Sequence, residues 1–239
     1  MDNKNVYSWF EPGQKVAVIT GAGISTDSGI PDFRSSEGLY NEKTKRNIPI
    51  EEVISIDFFE QYPKEFYEVY NEKLVHSQAQ PNSGHLFLKE LEDKGLDVTI
   101  ITQNIDGLHQ KAGSSRVLEV HGNAHTFVDK TGKSVDVSLI EEKDGLMTVN
   151  NEPVRPGITL YGEALNQRVI YESVEAIRQA DILLVMGTSL NVYPAAGLIY
   201  DYQGQKSILV NKGGTPLDAF FTEVFDGTIA EWVKGFKES

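Results

Sequence analysis

Short apolar runs rich in β-branched residues recur along this chain, and each stops abruptly at small or polar residues, which is the pattern of buried strands. Four such runs occupy 16–20, 98–102, 182–186 and 208–210. Between them, apolar positions return at helical spacing over 56–74, 84–94 and 168–179, with Asn82 or Ser83 placed to cap the second. Strands alternating with helices predict an α/β fold: a Rossmann-like parallel sheet with crossover helices on both faces. The rhythm breaks over 126–152, a polar stretch punctuated by Thr131-Gly132-Lys133 and Asp144-Gly145, which predicts a small inserted hairpin module.

Composition narrows the function. The 239 residues are 40% hydrophobic, enough for an ordinary core. No apolar run reaches the roughly 18 residues of a membrane helix, and the first ten residues lack the basic flank and apolar stretch of a signal peptide. The expectation is a cytoplasmic protein with no membrane partner. A net charge of −13 repels phosphate backbones, so no nucleic acid is expected and a cationic protein segment is the better partner. With no cysteine there is no disulfide, thiolate nucleophile or cysteine-based metal site, and the five histidines are scattered.

The chemistry collects at strand ends. The first run leads into Gly21-Ala22-Gly23-Ile24-Ser25-Thr26, a turn whose small residues let backbone amides approach a pyrophosphate at a helix start. Thr26 stands where a dinucleotide fingerprint has its third glycine. The third run ends in Gly187-Thr188-Ser189, the second in Gln103-Asn104-Ile105-Asp106, and the fourth in Asn211-Lys212. Polar groups at the carboxyl ends of parallel strands mark the edge where ligands bind in open sheets.

These stretches carry a resemblance. GAGISTDSGIPDFR from Gly21, PNSGH from Pro81, TQNIDGLHQKAGS from Thr102, EVHGN from Glu119, RPGITLYGE from Arg155, GTSLNVYP from Gly187 and LVNK from Leu209 resemble the sirtuin family, in the family's order. The resemblance implies a large NAD-binding domain from 1–34, 75–120 and 160–239. A helical part of a small domain with the cofactor loop would lie at 35–74, and a zinc-module-like hairpin insertion at 121–159. An acyl-lysine peptide would lie in the cleft as an added strand.

It implies an NAD-dependent protein-lysine deacylase, a transferase that passes the acyl group to ADP-ribose. The acyl oxygen attacks the ribose carbon that bears nicotinamide, and a ribose hydroxyl and water resolve the imidate. By match to the family's motifs, His121 is the general base, Asn104 positions ribose and a water, and Asp106 holds the nicotinamide amide. Ala22, Thr26, Asp32, Phe33 and Arg34 fall in the cofactor turn and loop, with Phe33 shielding the reaction centre and Arg34 near phosphate. Gly21, Gly23, Gln103, Ile105, Gly187, Thr188, Ser189, Asn211 and Lys212 match further cofactor contacts, and Tyr161, Gly162, Glu163, Asn191, Val192 and Tyr193 match the peptide cleft. His85 and His109 read as structural, while Phe66 and Tyr67 stand where an acyl channel would run. The segment 226–232 is expected to close over the adenine side.

The chain departs from the family at two places. Where most members carry two Cys-x-x-Cys pairs it has Val128, Thr131, Met147 and Asn150, so a module without zinc is expected. Phe127, Val135, Val137, Leu139, Ile140 and Met147 are its candidate packing residues. Where a subgroup acting on acidic acyl groups has Tyr-x-x-Arg, this chain reads Tyr67-Glu68-Val69-Tyr70, which favours neutral acyl groups. Asn166 stands in place of a common proline, with no evident reason. Two alternatives remain at this stage: a protein ADP-ribosyltransferase using the same NAD cleavage, and a module that senses NAD or ADP-ribose.

Overall fold

The computed structural model describes residues 4–33, 38–44 and 46–238. A short helix α1 (Lys4–Tyr7) leads into strand β1 (Lys15–Thr20); helices α2 (Ile50–Val53), α3 (Ile56–Gln61), α4 (Pro63–Val69) and α5 (Ser83–Asp93) follow. Next come β2 (Asp97–Thr102), α6 (Leu108–Lys111), β3 (Val117–Glu119) and β4 (Gly122–Val128), then β5 (Glu141–Lys143), β6 (Leu146–Val149), β7 (Glu152–Pro153) and β8 (Arg155–Ile158). The chain closes with α7 (Gln167–Arg178), β9 (Ile182–Met186), β10 (Lys206–Asn211), β11 (Glu223–Asp226) and α8 (Ile229–Lys237).

Six strands form one sheet in the order β11-β10-β9-β1-β2-β3, and every pairing is parallel. Alternate residues of each strand point to opposite faces, so Val16, Val18, Val98, Ile100, Ile182, Leu184 and Met186 enter one core and Ala17, Ile19, Ile101, Leu183 and Val185 the other. Phe87, Leu88 and Leu91 of α5 with Trp232 and Val233 of α8 cover the first face. Ile177 of α7, with Leu198 and Ile199 from the 3-10 turns of 195–201, covers the second. Burial on both faces explains why the strands read as continuous apolar runs. The edge strand β11 had no such run, because its residues alternate between exposed and half-buried.

From β1 the chain proceeds to β2 and β3 on one side, and then to β9, β10 and β11 on the other. The order therefore reverses at β1, and the crevice beyond the carboxyl ends of β1 and β9 is the topological switch point.

A third core lies over 39–74 and the strands β4 and β8. The single helix expected over 56–74 is instead three pieces. Ser55 caps α3 by accepting from the Phe58 amide; Pro63, which has no amide proton, starts α4; and a π-helical turn spans Tyr70–Leu74. The aromatics still share one face, Phe66 stacking on Tyr70 at 5.7 Å and Phe59 meeting Phe66 edge-on at 4.9 Å. The other two helices hold to within a residue at each end. Asn82 caps α5 in a reciprocal box with His85, and Asn166 caps α7 by accepting from the Arg168 and Val169 amides, which accounts for an asparagine at that position.

The inserted module pairs β4 with β8 and carries a separate three-stranded sheet, β5-β6-β7. Asp144-Gly145 and Asn150-Asn151 turn its two hairpins with positive φ at all four residues. Of the packing residues expected there, Phe127 and Met147 reach the third core and Val135 and Ile140 are half-buried, but Val137 and Leu139 are 53% and 58% exposed. A single layer can bury only one of its faces: β6 meets α4, while the 3-10 turn Val137–Leu139 lies along β4.

Candidate active site

The glycine turn after β1 folds as two 3-10 turns, Ala22–Ile24 and Thr26–Ser28, and not as the start of a long helix. Its glycines are dictated by the neighbouring strand end. A Cβ on Gly21 would lie 2.7 Å from the Thr188 Cβ, and one on Gly23 would lie 2.8 Å from the Gly187 Cα. The Gly23 amide donates to the Gly187 carbonyl at 2.8 Å, and Gly187, at φ +62, could carry no side chain within 2.4 Å of the Ile24 nitrogen. Two backbones thus meet at the switch point without intervening side chains. The Thr26 hydroxyl donates to the Gly23 carbonyl, and the Thr188 hydroxyl oxygen accepts from the Gln103 side chain at 3.2 Å and from the Leu190 amide.

At the centre of this edge stands Ser25, a residue the motif reading passed over although it lies inside the matched stretch. Its hydroxyl donates to Asp106 Oδ2 at 2.7 Å and accepts from Asn104 Nδ2 at 3.1 Å. The second Asp106 oxygen accepts from the Leu108 amide at 2.9 Å, so the carboxylate is fixed by the turn that follows β2. Asn104 is buried, held by its own amide donating to the Thr102 hydroxyl, and its Oδ1 remains as an acceptor.

His85 faces this cluster. Its Nδ1 accepts from the Asn82 amide, so Nε2 carries the proton and points at Ser25 Oγ, 3.5 Å away. His109 sits 4.9 Å from it, ring to ring, and contacts the Thr20 hydroxyl at 2.9 Å, which in turn donates to Thr102. Burial holds His85 down to about 4 and His109 to about 3, a nearby Asp106 charge slightly opposing the first. Both rings are neutral at ordinary pH.

His121 follows β3 at the opposite wall. Its Nδ1 lies 2.8 Å from the Gln103 carbonyl, which can only accept, so Nδ1 holds the proton and Nε2 is left as the basic nitrogen. Burial lowers its pKa, the Gln103 bond partly opposing, so the ring is neutral at pH 7. Phe33 and Ile105 are half-buried against the third core, Phe33 tilted on Tyr40 at 5.3 Å. Asp32 closes the loop through its carbonyl, which accepts from the Leu39 amide at 2.9 Å; Arg34 lies outside the described residues.

Other expected residues are more peripheral. Ala22 and Ser189 are half-buried and Lys212 is exposed. The Asn211 side chain donates to the Gly213 carbonyl, and the Gly213 amide donates to Asp226 at the end of β11. The segment 226–232 runs from the end of β11, where the Gly227 amide donates to the Asn211 carbonyl at 3.1 Å, into the start of α8, whose Trp232 is 2% exposed in the first core. Of the cleft residues, Tyr161, Gly162, Asn191 and Tyr193 are exposed and Val192 is half-buried.

Glu163 is committed elsewhere. Arg155 grips it with two hydrogen bonds of 2.7 and 2.8 Å, and the Leu160 amide adds a third of 2.8 Å. Burial pushes its carboxyl up, but these bonds and the guanidinium charge outweigh it and hold the group below its usual range. It shapes the Gly162 turn and does not face outward as a free carboxylate. Phe66 and Tyr67 are likewise closed into the third core, with Tyr67 donating to the Val154 carbonyl at 2.6 Å and Tyr70 to the Ala124 carbonyl at 2.5 Å.

Among the described residues no group of three His, Asp or Glu side chains is placed to hold a metal, and no helix is long and apolar enough to cross a membrane. A model of the Sir2 family matches residues 21–194. The chain is 43% identical over 222 residues to an NAD-dependent protein deacetylase of Clostridium perfringens, with 88% of each chain covered. To the NAD-dependent protein deacetylase of Thermotoga maritima it is 37% identical over 254 residues, covering 100% of this chain and 98% of the relative. Two solved structures, a Sir2 with a p53 peptide and NAD+ and a Sir2 bound to a propionylated peptide, each superpose with a TM-score of 0.85 at 34% identity, over 100% of this chain and 98% of theirs.

Proposed function

This chain belongs to the Sir2 family, and we propose that it deacylates protein lysines through Ser25, Asn104, Asp106 and His121, with neutral acyl groups as substrates and a small module that needs no zinc. It is an NAD-dependent protein deacylase. The observation that supports the residue assignment is the locking of the Asp106 and Asn104 side chains around one serine hydroxyl at the carboxyl edge of the sheet, with His121, after β3 on the same edge, held by the Gln103 carbonyl so that its Nε2 is basic.

The crevice at the switch point suits NAD: the donors and acceptors of Ser25, Asn104 and Asp106 at its edge match an amide and sugar hydroxyls. NAD supplies the ribose that accepts the acyl group. Asp106 would accept from the carboxamide NH₂ while Ser25 and the Leu108 amide hold its oxygens in place. Asn104 Oδ1 would accept from a ribose hydroxyl or water. His121 Nε2 would take the ribose hydroxyl proton, with Gln103 fixing its tautomer. Phe33 and Ile105 would exclude water from the acyl group.

The peptide would add as a strand between 161–163 and 191–193. The net charge of −13 favours basic sequences around the lysine in a cytoplasmic setting. The NAD-binding domain would comprise 1–34, 75–120 and 160–239, with 35–74 and 121–159 as the small domain.

Neutral acyl groups are supported by Tyr67 and Tyr70. Both hydroxyls are spent on backbone carbonyls in an apolar core, and neither position offers a cation. The zinc-free module is supported by what stands at the expected ligand positions. Thr131 sits in a turn nucleated by Asp129, whose carboxylate accepts from the Thr131 amide at 2.8 Å, its hydroxyl at 2.6 Å and the Lys133 amide at 3.1 Å. Val128 pairs with Arg155 and Met147 packs inward.

The test is NAD-dependent release of free lysine from acetyl-, long-acyl- and succinyl-lysine peptides after chelator treatment, with nicotinamide and acyl-ADP-ribose quantified for wild type and His121→Ala. Acyl-ADP-ribose stoichiometric with lysine, insensitive to chelator and lost in the variant, is expected. Nicotinamide release with protein-bound ADP-ribose and no deacylation would replace this reading with ADP-ribosyl transfer. Loss of activity to the chelator, restored by zinc, would remove the metal-free module.

A further inference from the structure

His121 sits where the chain leaves one sheet for another. Strand β3 ends at Glu119, paired with Thr102 of β2, and β4 begins at Gly122, paired with Ile158 of β8. Only Val120 and His121 lie between. The Val120 amide still donates to the Thr102 carbonyl at 2.9 Å, whereas the His121 carbonyl already accepts from the Thr159 amide, also at 2.9 Å. Gly122 makes the bend at φ +78, where a Cβ would collide with the Gly157 carbonyl.

One side-chain bond spans this bend. The Asn123 side-chain amide donates to Glu119 Oε1 at 2.6 Å, closing the loop 119–123 with His121 at its middle. The same oxygen accepts from Gln110 Nε2 at 2.7 Å, and the second Glu119 oxygen makes no hydrogen bond among the described residues. Gln110 belongs to α6, which is anchored independently by the buried His109 and by the Lys111 ammonium, donating to the Ala79 carbonyl at 2.7 Å. Asn123 is oriented in turn by its Oδ1, which accepts from the His125 amide at 2.8 Å. The Gln103 carbonyl fixes which His121 nitrogen is basic, and the Glu119–Asn123 bond fixes the backbone from which the ring projects.

We propose that Glu119 and Asn123 form a clasp that positions His121 against the ribose hydroxyl, which makes Glu119 a positioning residue of the deacylation step. A general base must lie within hydrogen-bond reach of the proton it takes, and a misplacement of about 1 Å can cost about 100-fold. Burial and the Gln103 bond set the basicity of His121, so the clasp acts on its place. The proposal rests on the assignment of His121 as the general base.

The test separates the two halves of the reaction. Nicotinamide leaves when the acyl oxygen attacks the ribose, before His121 takes a proton. Exchange of labelled nicotinamide into NAD therefore reads the first step, and lysine release reads the whole sequence. Wild type, Glu119→Gln, Asn123→Asp, the double variant and His121→Ala are compared at about pH 8, where both carboxylates are charged. Glu119→Gln keeps an oxygen for both donors. Asn123→Asp keeps the acceptor for the His125 amide but sets a carboxylate against Glu119. In the double variant the new amide donates to the new carboxylate, and the clasp re-forms with donor and acceptor exchanged.

The expected kcat for deacylation is that of wild type in Glu119→Gln, about 10- to 100-fold lower in Asn123→Asp, and restored to within about threefold in the double variant. Nicotinamide exchange should stay within about twofold throughout. Exchange that falls in step with deacylation would overturn the clasp, since a merely structural loss weakens both. So would Asn123→Asp as fast as wild type, Glu119→Gln as slow as Asn123→Asp, or a double variant no faster than Asn123→Asp. A His121→Ala enzyme that still deacylates would instead strike the assignment of the base.

Discussion

Lowering the pH from 7 to 5 should destabilise this fold by about 4 kcal/mol through two buried histidines alone. His85 and His109 are held at about 4 and about 3 by burial, against an ordinary value near 6.5. Their folded values are depressed, so the unfolded chain binds more protons between pH 6.5 and 4. Stability is then fully present above the unfolded pKa and is lost as the pH falls. At pH 5 both folded rings are still neutral while their unfolded counterparts are charged. Each therefore costs about 2 kcal/mol relative to pH 7, whatever its folded value below about 4.

The pair removes a large fraction of a typical 5–15 kcal/mol stability. His121, also lowered by burial, acts in the same direction, whereas Glu119, raised by burial, gains stability on acidification and opposes it. Urea unfolding followed by circular dichroism at pH 7, 6 and 5 measures the loss, and ring-proton NMR at pH 5 tests whether the two rings stay neutral. A change below about 1 kcal/mol, or a His85 or His109 ring that titrates near 6.5, would refute the reasoning.

Ser25→Ala takes the donor from Asp106 and the acceptor from Asn104; kcat/KM for NAD should fall about 10- to 100-fold, measured as nicotinamide release. The rate limb controlled by His121 should lie below pH 6.5, since burial depresses its pKa; deacylation rates from pH 5 to 8 that halve at or above 6.5 would contradict this. Tyr70→Phe leaves the Ala124 carbonyl without its buried donor and should cost about 1–3 kcal/mol, with hydrogen exchange in β4 and β8 accelerating before that in β1 and β9. Gly23→Ala drives a Cβ to 2.8 Å from the Gly187 Cα between two strand ends; NAD binding should be abolished or the protein should fail to fold, as calorimetry and thermal melting would show.

What the sequence determined was whatever depends on local pattern and on burial. Strands β1, β2, β9 and β10 were legible because a parallel strand buried on both faces must be apolar throughout, and β11 was missed because an edge strand escapes that demand. Asn82 was legible as a cap, and the Asn166 cap and the break at Pro63 carried the same kind of local signal and were overlooked. The motifs brought the right strand ends to one edge. Tertiary structure alone decided what those ends do together. Ser25 reaches Asn104 across 79 residues of chain and Asp106 across 81. Which nitrogen of His121 is basic depends on a carbonyl 18 residues away. Whether Glu163 faces the cleft or Arg155 is settled by the fold of the turn around it. Hydrogen-bond partners distant in the chain leave no periodicity in it, because direction and distance between two side chains exist only once the backbone between them has been folded.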